Sequence, residues 1–302
     1  MHRLAEDGDR YAVFYEALVD AQASLLARWM LVGFIHGVMN TDNMTISGET
    51  IDYGPCAFVE AYDPAAVFSS IDNHGRYAFG NQPGIAQWNL TRLAESLLPL
   101  IAAEPEDAAK QATVVIEAFP ALYLRELLRG QRAKLGLREA QGGDDAADAA
   151  LANDWLELLH AGRADFTLAW RRLADAAGGD EAPLRALFLD AAAPDAWLAR
   201  WRERCTREDE GRVAESGSAA DSAIAPAEAR AASMRRVNPR VIPRNHRVEE
   251  ALAAASDDDD LGPFDRLLAA LRRPYDEVAD HAAYAEPAPV EVTACYRTFC
   301  GT

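Results

Sequence analysis

His36-Gly37-Val38-Met39-Asn40-Thr41-Asp42-Asn43-Met44, followed eight residues later by Asp52-Tyr53-Gly54, is the stretch around which the chain is organised. An Asp-Asn pair sits on a short loop, an apolar and β-branched bridge (Met44, Thr45, Ile46) follows, and a second Asp precedes Tyr-Gly. Segment 44 to 51 reads as a tight hairpin that turns at Ser47-Gly48-Glu49 and brings Asn43 and Asp52 back side by side. Asp42, Asn43 and Asp52 then offer three oxygen-bearing side chains at one spot, the chemistry a divalent magnesium takes. Gly54 frees the chain to turn sharply after the second Asp. On spacing alone, a polar turn at Asn40 to Asn43 with Asp52 as a strand-end cap fits as well, because short Asp/Asn motifs arise by chance.

The same order of residues is the layout of a kinase-type active site, where one Asp faces the acceptor hydroxyl and an Asn and a second Asp hold the metals on the nucleotide phosphates. Longer stretches narrow the reading. Val32 to Met44, Thr50-Ile51-Asp52-Tyr53-Gly54-Pro55, Gly75-Arg76-Tyr77-Ala78-Phe79, Asn81-Gln82-Pro83 and Trp88-Asn89-Leu90 together resemble the selenoprotein O family, also called the YdiU family. Asn238-Pro239-Arg240, Arg244-Asn245, Pro274-Tyr275-Asp276-Glu277 and a Cys near the end extend the resemblance from about residue 10 to the C-terminus. It implies a mainly α chain with a protein-kinase-like C-lobe, a short β-hairpin carrying the metal ligands, and transfer of AMP from ATP to Ser, Thr or Tyr hydroxyls of proteins. By the same resemblance Asp42 is the proton acceptor, Asn43 and Asp52 ligate magnesium or manganese, and Asp52 also faces the ATP phosphates. The family pattern further requires a Gly-rich loop, a strand Lys and a helix Glu upstream. Only 35 residues precede His36, with no Gly-rich loop and no Lys among them, so the expectation is an absent N-lobe or one encoded separately. Two other readings stay open: a kinase-type phosphotransferase, and an inactive remnant serving as a binding module.

The 302 residues, half of them hydrophobic, are enough to bury a substantial core. A formal charge of -18 argues against nucleic-acid backbones and anionic membranes as partners, since both are bound through a Lys/Arg surplus. No run of 18 apolar residues occurs, and acids follow the Met1-His2-Arg3 start, so the expected location is the cytoplasm.

Residues 8 to 35 read as one helix, with Tyr11, Phe14, Tyr15, Leu18, Leu25, Leu26, Trp29 and Val32 recurring at steps of three and four. His36, next to it, reads more readily as a hydrogen-bonded core residue than as a catalyst. Pro55 to Pro83 is irregular and holds the place of an activation segment. In it Glu60, Asp63 and Asp72 read as surface or capping acids, and Arg76 and Tyr77 as clamps for the loop. Helices are predicted over 85 to 103, 107 to 129 and 148 to 160, and the tryptophans of 165 to 204 read as helix packing. The domain expectation is a C-lobe core over 1–207, a flexible linker or insertion over 208–232, rich in Glu, Ser, Gly and Ala, and a C-terminal segment over 233–302. In that last part Arg240 and Arg244 are candidates to balance buried acids. Asp257 to Asp260 reads as a solvated turn, lacking the ligand alternation of a calcium loop.

Cys56, Cys205, Cys295 and Cys300 form no CxxC pair and have no His partners at zinc spacing. The resemblance adds a redox possibility: its members bond a Cys or selenocysteine third from the end to a Cys of the activation segment. Cys300 is third from the end here, but Gly301-Thr302 follows it, and Phe68-Ser69-Ser70 carries no Cys, so Cys56 is the candidate partner.

Overall fold

Gly33 decides where the first helix stops. α1 spans Arg10–Val32 and buries Tyr15, Leu18, Val19, Leu25, Leu26 and Trp29 along one face, as the spacing predicts. It ends three residues before the expected Ile35 because Gly33 takes a positive φ of 76°, the left-handed stop that glycine reaches without a Cβ clash. Phe34–Ile35 then forms β1, paired with β2 (Ala57–Phe58). The computed structural model describes residues 10–138, 145–216, 225–294 and 296–299.

The chain divides into two compact units. The first comprises Met1–Ala57, Pro64–Leu127 and Arg297–Thr302. Around α1 it gathers α2 (Gln82–Ile101) and α3 (Pro105–Glu117). The single helix expected over 107 to 129 is two, α3 and α4 (Phe119–Leu135), because Pro120 has no amide hydrogen for a continuing helix and instead sits in the opening turn of a new one.

The second unit comprises Phe58–Asp63 and Leu128–Tyr296. Its helices include α5 (Asp145–Gly162), α6 (Phe166–Ala177), α7 (Ala182–Arg185), α8 (Asp195–Ser216), α9 (Pro226–Arg235), α10 (Asn245–Asp257) and α11 (Gly262–Leu271). The tryptophans pack as expected: Trp155 and Trp197 lie 4.4 Å apart by ring centroid, and Trp155 and Trp170 6.0 Å. Trp197 and Trp201 donate their indole N–H groups to the carbonyls of Leu151 and Leu135, so their burial leaves neither donor unpaired. Within the expected linker, 208–216 ends α8 and 226–232 opens α9, while 217–224 lies outside the described residues, as do Gly142, Gly143 and Asp144.

Arg244 is the buried cation of this unit. It is fully enclosed and donates to Glu60 at 2.6 Å and to Asp165 at 2.6 and 3.0 Å. Glu60 is therefore no surface acid, contrary to the sequence expectation: a charged side chain enters a core when a paired charge 184 residues away in sequence meets it there. One guanidinium faces two carboxylates. Burial pushes Glu60 up to about 7, with the Asp165 charge adding to the rise and Arg244 opposing it. Asp165 also accepts the N–H of Leu168 and so caps α6. Arg240 pairs with Glu277, which also takes an ion pair from buried Arg171. Among the described residues no helix is long and apolar enough to cross a membrane.

Candidate active site

The loop after β1 is built by close backbone approach. Gly37 adopts φ +87°, and a Cβ there would lie 2.5 Å from the carbonyl oxygen of Pro55, so only glycine lets the two chain segments meet. His36 is buried at 1% exposure, and each polar atom offered by its backbone N–H and ring has a partner. Its backbone N–H donates to Gln82 Oε1 at 3.0 Å, its Nδ1 accepts from the Val38 N–H at 3.4 Å, and its Nε2 lies 2.8 Å from the Ile51 carbonyl. These partners assign the neutral tautomer with the proton on Nε2. Burial holds the imidazole below its ordinary pKa despite the pull of the Ile51 carbonyl and the Asp52 charge. His36 is thus a tie between two loops, as the structural reading of the sequence expected.

Asp42 and Asn43 sit in a single 3₁₀ turn, Thr41–Asn43, preceded by extended Asn40. Asp42 points into solvent. Asn43 donates its Nδ2 to the Val38 carbonyl at 2.9 Å, which orients the carboxamide and leaves Oδ1 as its other end. The hairpin expected over 44 to 51 closes through one antiparallel bridge, Met44 to Thr50, around Gly48 at φ +72°. Two residues beyond that bridge stands Asp52, exposed and itself at φ +55°, a conformation uncommon outside glycine.

Polar side chains on α1 and α2 hold this framework. Gln22 donates to the Thr45 carbonyl at 2.8 Å, Trp29 to the Thr50 hydroxyl at 2.8 Å, and Asn89 to the Met39 carbonyl at 3.0 Å. Gln82 accepts from His36 and donates to the Phe34 carbonyl at 2.9 Å, acting as an extra strand residue beside β1. Sequence reasoning gave none of these four side chains its role. A signal was present in α2, where Gln82 and Asn89 stand seven residues apart on the face that buries Ala86 and Leu90.

From the irregular segment, Tyr77 donates its hydroxyl to Asn40 Oδ1 at 2.7 Å, the clamp expected of it. Asp72 caps that turn, accepting the backbone N–H groups of Arg76 at 2.9 Å and Tyr77 at 2.7 Å. Near the C-terminus, Thr298 forms a single parallel bridge with Ser69, and its hydroxyl donates to the Pro55 carbonyl at 2.6 Å. Cys56, next in sequence, has a free half-buried thiol, and burial pushes it up to about 11. Cys300 lies outside the described residues.

Residues 1–272 match the family described as "Protein adenylyltransferase SelO". Among curated proteins, the chain is similar to "Protein nucleotidyltransferase YdiU" of Cereibacter sphaeroides (strain ATCC 17029 / ATH 2.4.9), at 56% identity over 299 residues, covering 99% of this chain and 56% of that protein. The protein of the same name from Rhizobium etli (strain CIAT 652) is 51% identical over 301 residues, with 99% and 56% covered, and that from Agrobacterium fabrum (strain C58 / ATCC 33970) is 49% identical over 292 residues, with 97% and 56% covered. The chain thus spans about half the length of the curated relatives it matches. With the family model matched along nearly its whole length, the chain belongs to the SelO protein adenylyltransferase family.

Proposed function

We propose that the Thr41–Asn43 turn and Asp52 form the acceptor and metal centre of a protein adenylyltransferase that moves AMP from ATP to a Ser, Thr or Tyr hydroxyl of a protein. The observation that supports this most is the pairing of loops: the Met44 to Thr50 bridge and the bond from His36 to Ile51 hold the approach to Asp52 beside the turn bearing Asp42 and Asn43. The order of helix, His36 loop, hairpin, Asp52 and irregular segment also supports reading this part as a protein-kinase-like C-lobe.

The donor chemistry fits magnesium or manganese. Asn43 Oδ1 and the Asp52 carboxylate are hard oxygen ligands, and such an ion keeps waters and shares phosphate oxygens, so two protein ligands suffice. The ion would supply neutralisation of the phosphate charge. Asp52, held in a left-handed backbone conformation that costs about 1 kcal/mol, has the strained geometry common at functional positions.

Asp42 acts on the acceptor. As the hydroxyl oxygen bonds to the α-phosphorus, its proton passes to the Asp42 carboxylate, the α-phosphorus to bridging-oxygen bond breaks, and pyrophosphate leaves. Positioning by the turn and the preset charges does most of the work in such transfers. The test is incubation of the chain and its Asp52→Ala variant with a cell extract and magnesium, using ATP labelled at the α- or the γ-phosphate. Protein-bound α-label that the variant loses supports AMP transfer. Transfer of γ-label replaces the proposal with a phosphotransferase, and transfer of neither leaves a binding module.

A further inference from the structure

Beside the candidate centre, an open hollow of about 760 Å³ is lined by Ile71, Asp72, His74, Arg76, Tyr77 and Ile85, among others. Its wall touches the centre directly, since the Tyr77 hydroxyl donates to Asn40, two positions before Asp42. Arg76 is exposed, and its guanidinium lies 5.0 Å from the Trp88 ring centroid and 5.7 Å from that of Tyr77. Cation–π contact with two rings fixes the group without using its N–H donors. The nearby carboxylates are engaged elsewhere: Asp72 takes backbone N–H groups, and Glu95 pairs with Arg92 at 2.8 Å, the second guanidinium over Trp88. Arg76 has no ion pair among the described residues, in a chain whose formal charge is -18.

We propose that Arg76 and this hollow recognise an Asp or Glu side chain on the protein segment whose hydroxyl is presented to Asp42. The inference rests on the proposed function for the hydroxyl, while the acid contact stands on Arg76 alone. A preset, unpaired guanidinium offers a two-pronged fit to a carboxylate. One such contact suits a short acidic segment, whereas the overall negative charge disfavours a long polyanion.

The test is fluorescence anisotropy of the full chain with three labelled peptides at low salt: Ala-Ala-Ser-Ala-Glu-Glu-Ala, the same peptide with Lys for Glu, and the Glu peptide with Ala for Ser. The Glu peptide should bind about fivefold tighter than the Lys peptide. Replacing Ser by Ala should leave that preference in place. Arg76→Glu should reverse the preference and Arg76→Lys retain it, with Arg76→Gln as the milder variant should Arg76→Glu fail to fold. Equal affinities in the parent chain, or a Glu preference surviving in Arg76→Gln, overturn the proposal. Transfer of α-label to the Ser peptide, followed in parallel, separates the two readings. Acid-selective binding without transfer sinks the catalytic reading and leaves the acid contact. Transfer without acid selectivity sinks the contact alone.

Discussion

The imidazole Nε2 of His36 donates to the Ile51 carbonyl at 2.8 Å, tying the loop that carries Asp42 and Asn43 to the residue before Asp52. His36 is buried and makes this part-buried bond as one of three, so losing the ring removes the partner of both the Val38 N–H and the Ile51 carbonyl. His36→Ala is expected to destabilise the first unit by about 2 kcal/mol and to speed amide exchange at Asp52 and Tyr53. A urea midpoint and exchange rates equal to the parent's would refute the tie.

Asp42 and Asp52 should respond differently to neutralisation. Losing a proton acceptor lowers AMP transfer about 10²- to 10⁴-fold, so Asp42→Asn should leave a measurable remnant. If Asp52 is the metal ligand proposed above, Asp52→Asn keeps a residue type that tolerates the positive φ but removes that anionic ligand, and should abolish transfer. Equal losses in the two variants would contradict the assigned division of roles.

Arg244 stands between Glu60 and Asp165, and removing it leaves two buried carboxylates facing each other. Arg244→Met should cost about 3–5 kcal/mol in the second unit, read by the fluorescence of its buried tryptophans during unfolding. Glu60 also sets a pH dependence. Its carboxyl is held near 7 in the folded chain against an ordinary 4.5, so between those values the folded state keeps a proton that the unfolded state has lost. Stability from this group is complete below pH 4.5 and falls as pH rises to 7. The Glu60→Gln variant should lack that slope, and an unchanged slope would assign it to another group.

Lys134 sets the opposite slope in a higher window. It is buried with its Nζ 5.0 Å from the Trp170 ring centroid, and burial lowers it from 10.5 to about 7. Between pH 7 and 10.5 the unfolded chain holds a proton that the folded chain does not, so stability climbs with pH there and the penalty is largest below 7. Each pH unit in that window contributes up to about 1.4 kcal/mol. Lys134→Met should be the more stable protein at neutral pH and show no rise toward pH 9; a variant less stable than the parent would show that the Trp170 contact outweighs the desolvation.

Thr298 anchors residues 296–299 through its hydroxyl bond to Pro55, the residue before Cys56. Thr298→Val should cost about 1 kcal/mol and loosen that segment, seen as faster proteolysis near it. The family resemblance also implies a redox bridge between Cys56 and Cys300, the latter outside the described residues. That bridge is expected to appear as an oxidant-dependent shift in non-reducing gel mobility that Cys300→Ser abolishes. Mobility indifferent to oxidant removes it.

The sequence by itself determined the helical character of the chain and the place of the candidate centre. Periodic apolar residues fix a helix face locally, and the Asp42-Asn43 pair, the turn at Gly48 and Asp52 lie within eleven residues, so their proximity needs only one hairpin. Tertiary structure alone decided what holds and electrically tunes the rest. Gln82 reaches His36 across 46 residues, Thr298 reaches Pro55 across 243, and Glu60 enters the core only because Arg244 arrives 184 residues later. A polar side chain reads as a surface residue until its partner is known. The free energy of burying it depends on that distant partner, and local sequence pattern carries no information about the pairing.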